Sequence, residues 1–183
     1  NTNGKYFLIM PKTVTTIEKY ENRNPIISLD PGVRTFHTGY DPNGFILESG
    51  TIIKPKLDVI CKKISKIDEK LSKNPNSKSK RKLIKHKASK HQKIKNIVDN
   101  MHNQLSSYLT KRYDTIIVPQ LPVKKLVRKA KETCENQASS TTEVKRKINS
   151  KTSNILVNLS FYKFIKKLKG LCHLRNVKLY IVD

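Results

Sequence analysis

Apolar residues fall along this chain in two rhythms, and each predicts a different kind of element. Short runs come first. Lys5 to Met10 is aromatic and aliphatic and reads as a strand. Residues 11–25 are broken by Pro11 and Pro25 and read as a linker. Residues 26–30 then predict a strand that is apolar on both faces and therefore central in a sheet. Residues 34–40 alternate, with Phe36, Thr38 and Tyr40 expected on one face and Thr35 and His37 on the other. Asp41-Pro42-Asn43-Gly44 is a tight hairpin turn, with Gly where positive φ is needed, and Phe45 to Glu48 returns as a third strand.

The rhythm then changes to threes and fours. Leu57, Ile60, Ile64, Ile67 and Leu71 mark one helical stripe. Residues 74–77 break it. A second helix runs to about Thr110, with Leu83, Ile94, Val98, Met101, Leu105 and Leu109 inward. Two long helices with a short break between them predict an antiparallel hairpin. Thr115 to Val118 is another buried strand, followed by Pro119-Gln120. Residues 124–153 are polar, basic and rich in Ser and Thr, with weak helical character. Ile155, Leu159, Tyr162, Ile165 and Leu168 predict one amphipathic helix, and Val177 to Val182 a last strand. Strands alternating with helices favour parallel pairing. The simplest solution is an α/β fold, a mixed five-stranded sheet flanked by helices and carrying a long basic hairpin.

Charge narrows the function. The 183 residues carry a formal net charge of +24, and only 36% of them are hydrophobic. That excess points to a polyanion, and nucleic acid leads. No apolar stretch is long enough to span a membrane. Cys61, Cys134 and Cys172 lie far apart, show no C-x-x-C, and read as isolated thiols in a reducing compartment. The start at Asn1 without Met and the stop at Asp183 suggest a piece of a longer protein. Between Lys62 and Lys95 lie fourteen Lys or Arg residues against Asp68 and Glu69. A merely solvated helix would interleave acids to make i,i+4 pairs, so this run reads as a phosphate-binding surface, with Lys78, Lys80, Arg81, Lys82, Lys85, Lys87 and Lys90 as its contacts.

Asp30 is the candidate for chemistry. It closes the central strand and is followed at once by Pro31-Gly32. Asp is common in turns, and that is its plain reading. A carboxylate at the mouth of a buried strand is costly unless something holds it. Chemistry in open α/β sheets gathers at the carboxyl ends of central strands. Beside a phosphate-binding surface, a carboxylate there suits a divalent cation acting on a phosphodiester.

The stretch "ISLDPGVRTFHTGYDPNG" resembles the first RuvC-like motif of the TnpB nucleases and their eukaryotic and giant-virus relatives, the Fanzor proteins. Nearly the whole chain follows the same order. "GKYFLIMP" is similar to the last strand of that family's preceding RNA-binding wedge domain, which places residues 1–24 there and residues 25–183 in an incomplete nuclease domain, with the helical insertion at about 54–112. "MHNQLSSYLTKRYDTIIVPQL" resembles the approach to the second motif, and "FYKFIKKLKGLCHLRNVKLYIVD" the segment before a zinc ribbon. The resemblance implies an RNase H-like fold and an RNA-guided DNA endonuclease, with guide RNA and target DNA as partners. It implies two Mg²⁺ ions with Asp30 as the first catalytic and metal-binding carboxylate, and Zn²⁺ in a ribbon beyond this chain. The setting would be the nucleus for a eukaryotic or viral protein and otherwise the cytoplasm or nucleoid.

The family's second motif places Glu after the apolar strand, a position read here as Gln120, and a neutral amide is a poor Mg²⁺ ligand. Some relatives use a substitute just before the ribbon, which would directly follow "YIVD", beyond Asp183. Glu132, Glu135 and Glu143 sit in the polar segment and are weaker candidates. Arg34 and Thr35 match the family's "R-T" pair without an assigned role. His37, His86, His91, His102 and His173 show no ligand spacing and read as surface or packed histidines. Two alternatives stay open: an inactive nucleic-acid-binding protein on a RuvC-like fold, and a structure-selective nuclease without a guide.

Overall fold

The elements follow the two rhythms closely. The computed structural model describes residues 8–11, 13, 20, 22–73, 75–127 and 148–182. Strands β1 (Asn24–Pro31), β2 (His37–Tyr40) and β3 (Ile46–Ser49) form an antiparallel meander. Helices α1 (Ile53–Ser72) and α2 (Ser77–Arg112) form the long hairpin. Strand β4 (Tyr113–Pro119), helices α3 (Val123–Val127), α4 (Ser150–Leu159) and α5 (Phe161–Leu174), and strand β5 (Lys178–Val182) complete the order. The sheet runs β3-β2-β1-β4-β5, with β4 parallel to β1 and β5 parallel to β4. β1 is therefore the middle strand, as its sequence predicts.

Local chemistry explains the ends of these elements. Asn76 caps α2 by accepting from the Ser79 N–H at 2.9 Å, and Asn149 caps α4 through the Thr152 N–H at 2.8 Å. Each such cap stabilises its helix by about 1 kcal/mol. At the β2–β3 turn Gly44 takes φ 87°, and the buried Asp41 carboxylate accepts from the Asn43 N–H and from Asn24 Nδ2, both at 2.9 Å. The turn is thereby tied to the start of β1.

One apolar core joins one face of the sheet to the helices. Ile27 and Leu29 of β1 and Ile116 and Val118 of β4 meet Leu57, Leu105, Leu109, Phe164 and Leu168. The other face is open among the described residues. Tyr40 is 57% exposed, Ile46 63%, Tyr180 55% and Val182 44%, and Ser28 and Asp30 are exposed beside them. The expectation that β1 is covered on both faces is corrected: Ile27 and Leu29 are buried, whereas Ser28 and Asp30 alternate with them toward the open side.

Three other expectations change. β2 begins at His37 and not at residue 34, because residues 33–36 bend and turn Phe36 inward. Phe36 stacks on Phe161 and His102 at 4.8 and 5.1 Å between ring centroids, on the side away from Thr38 and Tyr40. The single helix expected through Ile155 and Leu168 is two. Ser160 breaks it in the left-handed region at φ 51°, ψ 51°, and the core stripe of α5 is Phe161, Phe164, Leu168 and Cys172, with Tyr162 74% exposed. Leu8, Ile9 and Met10 are exposed and in no strand, since no described segment pairs with them; residues 5–7 lie outside the described residues. Most of the 124–153 segment, with Cys134, Glu132, Glu135 and Glu143, lies outside them too, as does Asp183. No helix among the described residues is long and apolar enough to cross a membrane.

Candidate strand-end site and nucleic-acid interface

Asp30 stands at the carboxyl end of the central strand, on the open face. It pairs across the antiparallel ladder with Thr38, and Thr38 with Glu48 of β3, so the three lie in one cross-strand row. On the other side Ser28 is level with Ile117, and Ile117 with Tyr180. Two residues on, that parallel register sets Asp30 level with Pro119, which pairs with Val182. The residue of β4 beside Asp30 is thus Pro119, and Gln120 lies one step further along, its N–H donating to Val182 O at 2.8 Å. Neither offers a carboxylate.

The turn after Asp30 is tightly held. Gly32 N–H donates to Phe36 O at 3.1 Å, and a Cβ at Gly32 would come within 2.8 Å of Thr35 O. Phe36 N–H donates to Ser49 O at 2.7 Å. Under this turn Phe36, His37, His102, Phe161 and Phe164 form a buried ring cluster. Burial, with the charge of neighbouring His102, pushes His37 down to about 3. Burial pushes His102 down to about 4, although its Nε2 lies 3.0 Å from Leu159 O. Both are neutral packing groups, in keeping with their reading from sequence. Cys172 is also inert, its thiol pushed up to about 11 by burial. Cys61 and Cys172 are free thiols.

The Asp30 side chain is exposed and makes no hydrogen bond or ion pair with another described residue, so its carboxylate is open to a ligand. No three His, Cys, Asp or Glu side chains among the described residues come together to hold a metal. The described residues fit as one contributor and do not complete a metal centre.

The hairpin presents its charge outward. Lys78, Lys80, Arg81, Lys82 and Lys85 are exposed, and Lys90 is half-buried. Lys82, Lys85, His86, Ser89 and Lys90 line a shallow depression. Lys87 differs: its Nζ lies 2.6 Å from Asp68 Oδ1 and fastens α2 to α1. Lys73 pairs with Glu69 at 3.6 Å. Those two bridges use both acids of the run, and among the described residues its other cations have no ion pair. Arg34 is exposed in the turn after Asp30. Sequence reasoning missed the Asp30–Thr38–Glu48 row, which the hairpin register alone could have found.

A sequence profile described as "Probable transposase", OrfB_IS605, matches residues 10–130. TnpB-like proteins L79 and L770 of Acanthamoeba polyphaga mimivirus are each 31% identical over 171 residues, covering 90% of this chain and 29% of their own length. "Putative transposase A625R" of Paramecium bursaria Chlorella virus 1 is 26% identical over 169 residues, covering 92% of this chain and 34% of its own. The chain therefore spans about a third of the length of these curated relatives.

Proposed function

The chain belongs to the OrfB_IS605 transposase family, with giant-virus relatives named TnpB-like proteins, and from that premise we propose that it forms most of the RuvC-like, RNase H-like domain of an RNA-guided DNA endonuclease. Residues 25–183 would be that domain, with its insertion at about 54–112, and residues 1–24 the end of a preceding RNA-binding domain. The observation that carries the reading is Asp30, its carboxylate exposed at the carboxyl end of the middle strand, in a fold that also bears a long hairpin most of whose cations make no ion pair among the described residues.

A pair of Mg²⁺ ions, when bound, stabilises charge on the attacking and leaving oxygens of a phosphodiester. Asp30 would be one of their carboxylate ligands. Pro119 and Gln120 supply none; by the family's pattern the other carboxylates would come from chain following β5, which ends at Val182 on the same end and face of the sheet as Asp30. The zinc ribbon would also lie there. Lys78, Lys80, Arg81, Lys82, Lys85 and Lys90 would run along the backbone of guide RNA or its heteroduplex with target DNA. Lys87 would add charge while bracing the hairpin.

Pro119 and Gln120 favour a second reading, a nucleic-acid-binding protein that does not cut. The test is purification of the full-length protein from expressing cells, sequencing of RNA that accompanies it, and assay on DNA matched to that RNA. Cleavage that needs both Mg²⁺ and the match supports the nuclease. Binding without cleavage gives the second reading, and cutting of branched DNA without RNA overturns guidance.

A further inference from the structure

A groove of about 640 Å³ lies away from Asp30, between the loop after β3 and the sheet-proximal part of α2. Leu47, Ile53, Ile97, Met101 and Leu105 give it an apolar floor. Asn100, Gln104 and Tyr108 follow one another at i, i+4 and i+8 and so rise along one side of α2. The Asn100 and Gln104 amides hydrogen-bond to no other described residue. Tyr108 is fixed: Arg112 donates to its hydroxyl at 2.7 Å, with the guanidinium carbon 5.1 Å from the ring centroid. Lys56 and Glu48 complete the rim. The loop is pinned, since Gly50 sits at φ 79° where a Cβ would meet Phe36 Cβ at 2.6 Å and Met101 Sδ at 2.9 Å. The groove is thus largely formed before anything enters it.

We propose that this groove seats one unstacked nucleobase of a strand whose phosphates continue onto the basic hairpin. The proposal rests on the reading of the protein as a nucleic-acid binder and names where it grips a base. An apolar floor and an aromatic ring suit a base's faces. Paired amides, each with donor and acceptor, suit its edge. Lys56 on the rim and Arg112, held against Tyr108, put cations beside the groove for the adjoining phosphates. A wholly apolar occupant would strip water from both amides without replacing their hydrogen bonds.

The test uses the full-length protein and short single strands, in an RNA arm and a DNA arm. Each arm compares an all-adenine strand, the same strand with one 2-aminopurine, and a strand of equal length without bases. The wild type is expected to bind the adenine strand at least about fivefold more tightly than the baseless one and to change 2-aminopurine fluorescence on binding. The double variant Asn100→Ala, Gln104→Ala should lose most of that preference and keep the same salt dependence. The arm that shows the effect identifies guide or target as the source of the base. Equal binding of adenine and baseless strands in both arms overturns the proposal, as does a double variant that keeps the full preference. Loss of all salt-dependent binding would instead strike the broader nucleic-acid reading.

Discussion

The two halves of α2 share one unbroken hydrogen-bond ladder and little else. From Ile94 to Thr110 the helix buries Val98, Met101, His102, Leu105 and Leu109 against the sheet and α5. From Ser77 to Lys93 no residue is fully buried, and nearly half of the side chains are Lys or Arg. Packing on the sheet holds the first region. The second leans on α1 through contacts such as Lys87–Asp68 and carries a charge that repels itself. One helix thus has two characters: its proximal half is built into the core, and its distal half presents exposed charge.

That comparison can be broken by leucines. Leu109→Ala, in the proximal half where the side chain is wholly buried, should destabilise the protein by about 2–5 kcal/mol in urea unfolding. Leu83→Ala in the distal half, where the side chain is half-buried, should cost about 1 kcal/mol or less. Equal losses would mean that the hairpin is as tightly packed as the core.

The core that the proximal half packs into also carries the pH response, through His102 of α2 and His37 of β2. His37 and His102 have folded values of about 3 and about 4, below the ordinary value of 6.5. Above 6.5 both folded and unfolded forms are neutral, and stability does not depend on them. As pH falls below 6.5 the unfolded chain takes up protons that the native state refuses, so stability falls. The slope is about 1.4 kcal/mol per pH unit for each histidine until the folded values are reached. His37→Phe should flatten that slope in acid-unfolding curves, leaving the share due to His102. An unchanged slope would place His37 outside the response.

Smaller still is Ser160. A non-glycine residue at φ 51° carries a backbone cost that glycine lacks. Ser160→Gly should raise the melting temperature by a few degrees, equivalent to about 0.5–1 kcal/mol. The least effect on stability belongs to the distal charges. Replacing Lys80, Arg81, Lys82 and Lys85 together by Gln should shift unfolding by about 0.5 kcal/mol or less. The same change should weaken nucleic-acid binding and lower its salt slope by about 0.7–0.9 for each phosphate left unneutralised.

The two halves also explain what the sequence disclosed. Stripes such as Ile94–Val98–Met101–Leu105 and runs such as Ile26–Leu29 are local, so the hairpin, the middle strand and the parallel β4 and β5 could be read directly. The break at Ser160 could not, because neither Gly nor Pro marks it and Leu159 and Phe161 are both apolar. Phe36 belongs to the core through Phe161 and Phe164, far away in sequence, and that packing shortens β2. Asp30 was legible from Asp-Pro-Gly. Its neighbour was not, because a hydrogen-bond register decides that Pro119, and not Gln120, lies beside it.

The most direct measurement compares the RNA-bound full-length protein with its Asp30→Ala variant, in binding and in cutting of DNA matched to the RNA. Retained binding, with cutting reduced by at least about a thousandfold, is the expected result. A variant that binds and cuts like the wild type would contradict the assignment of Asp30 to the chemistry.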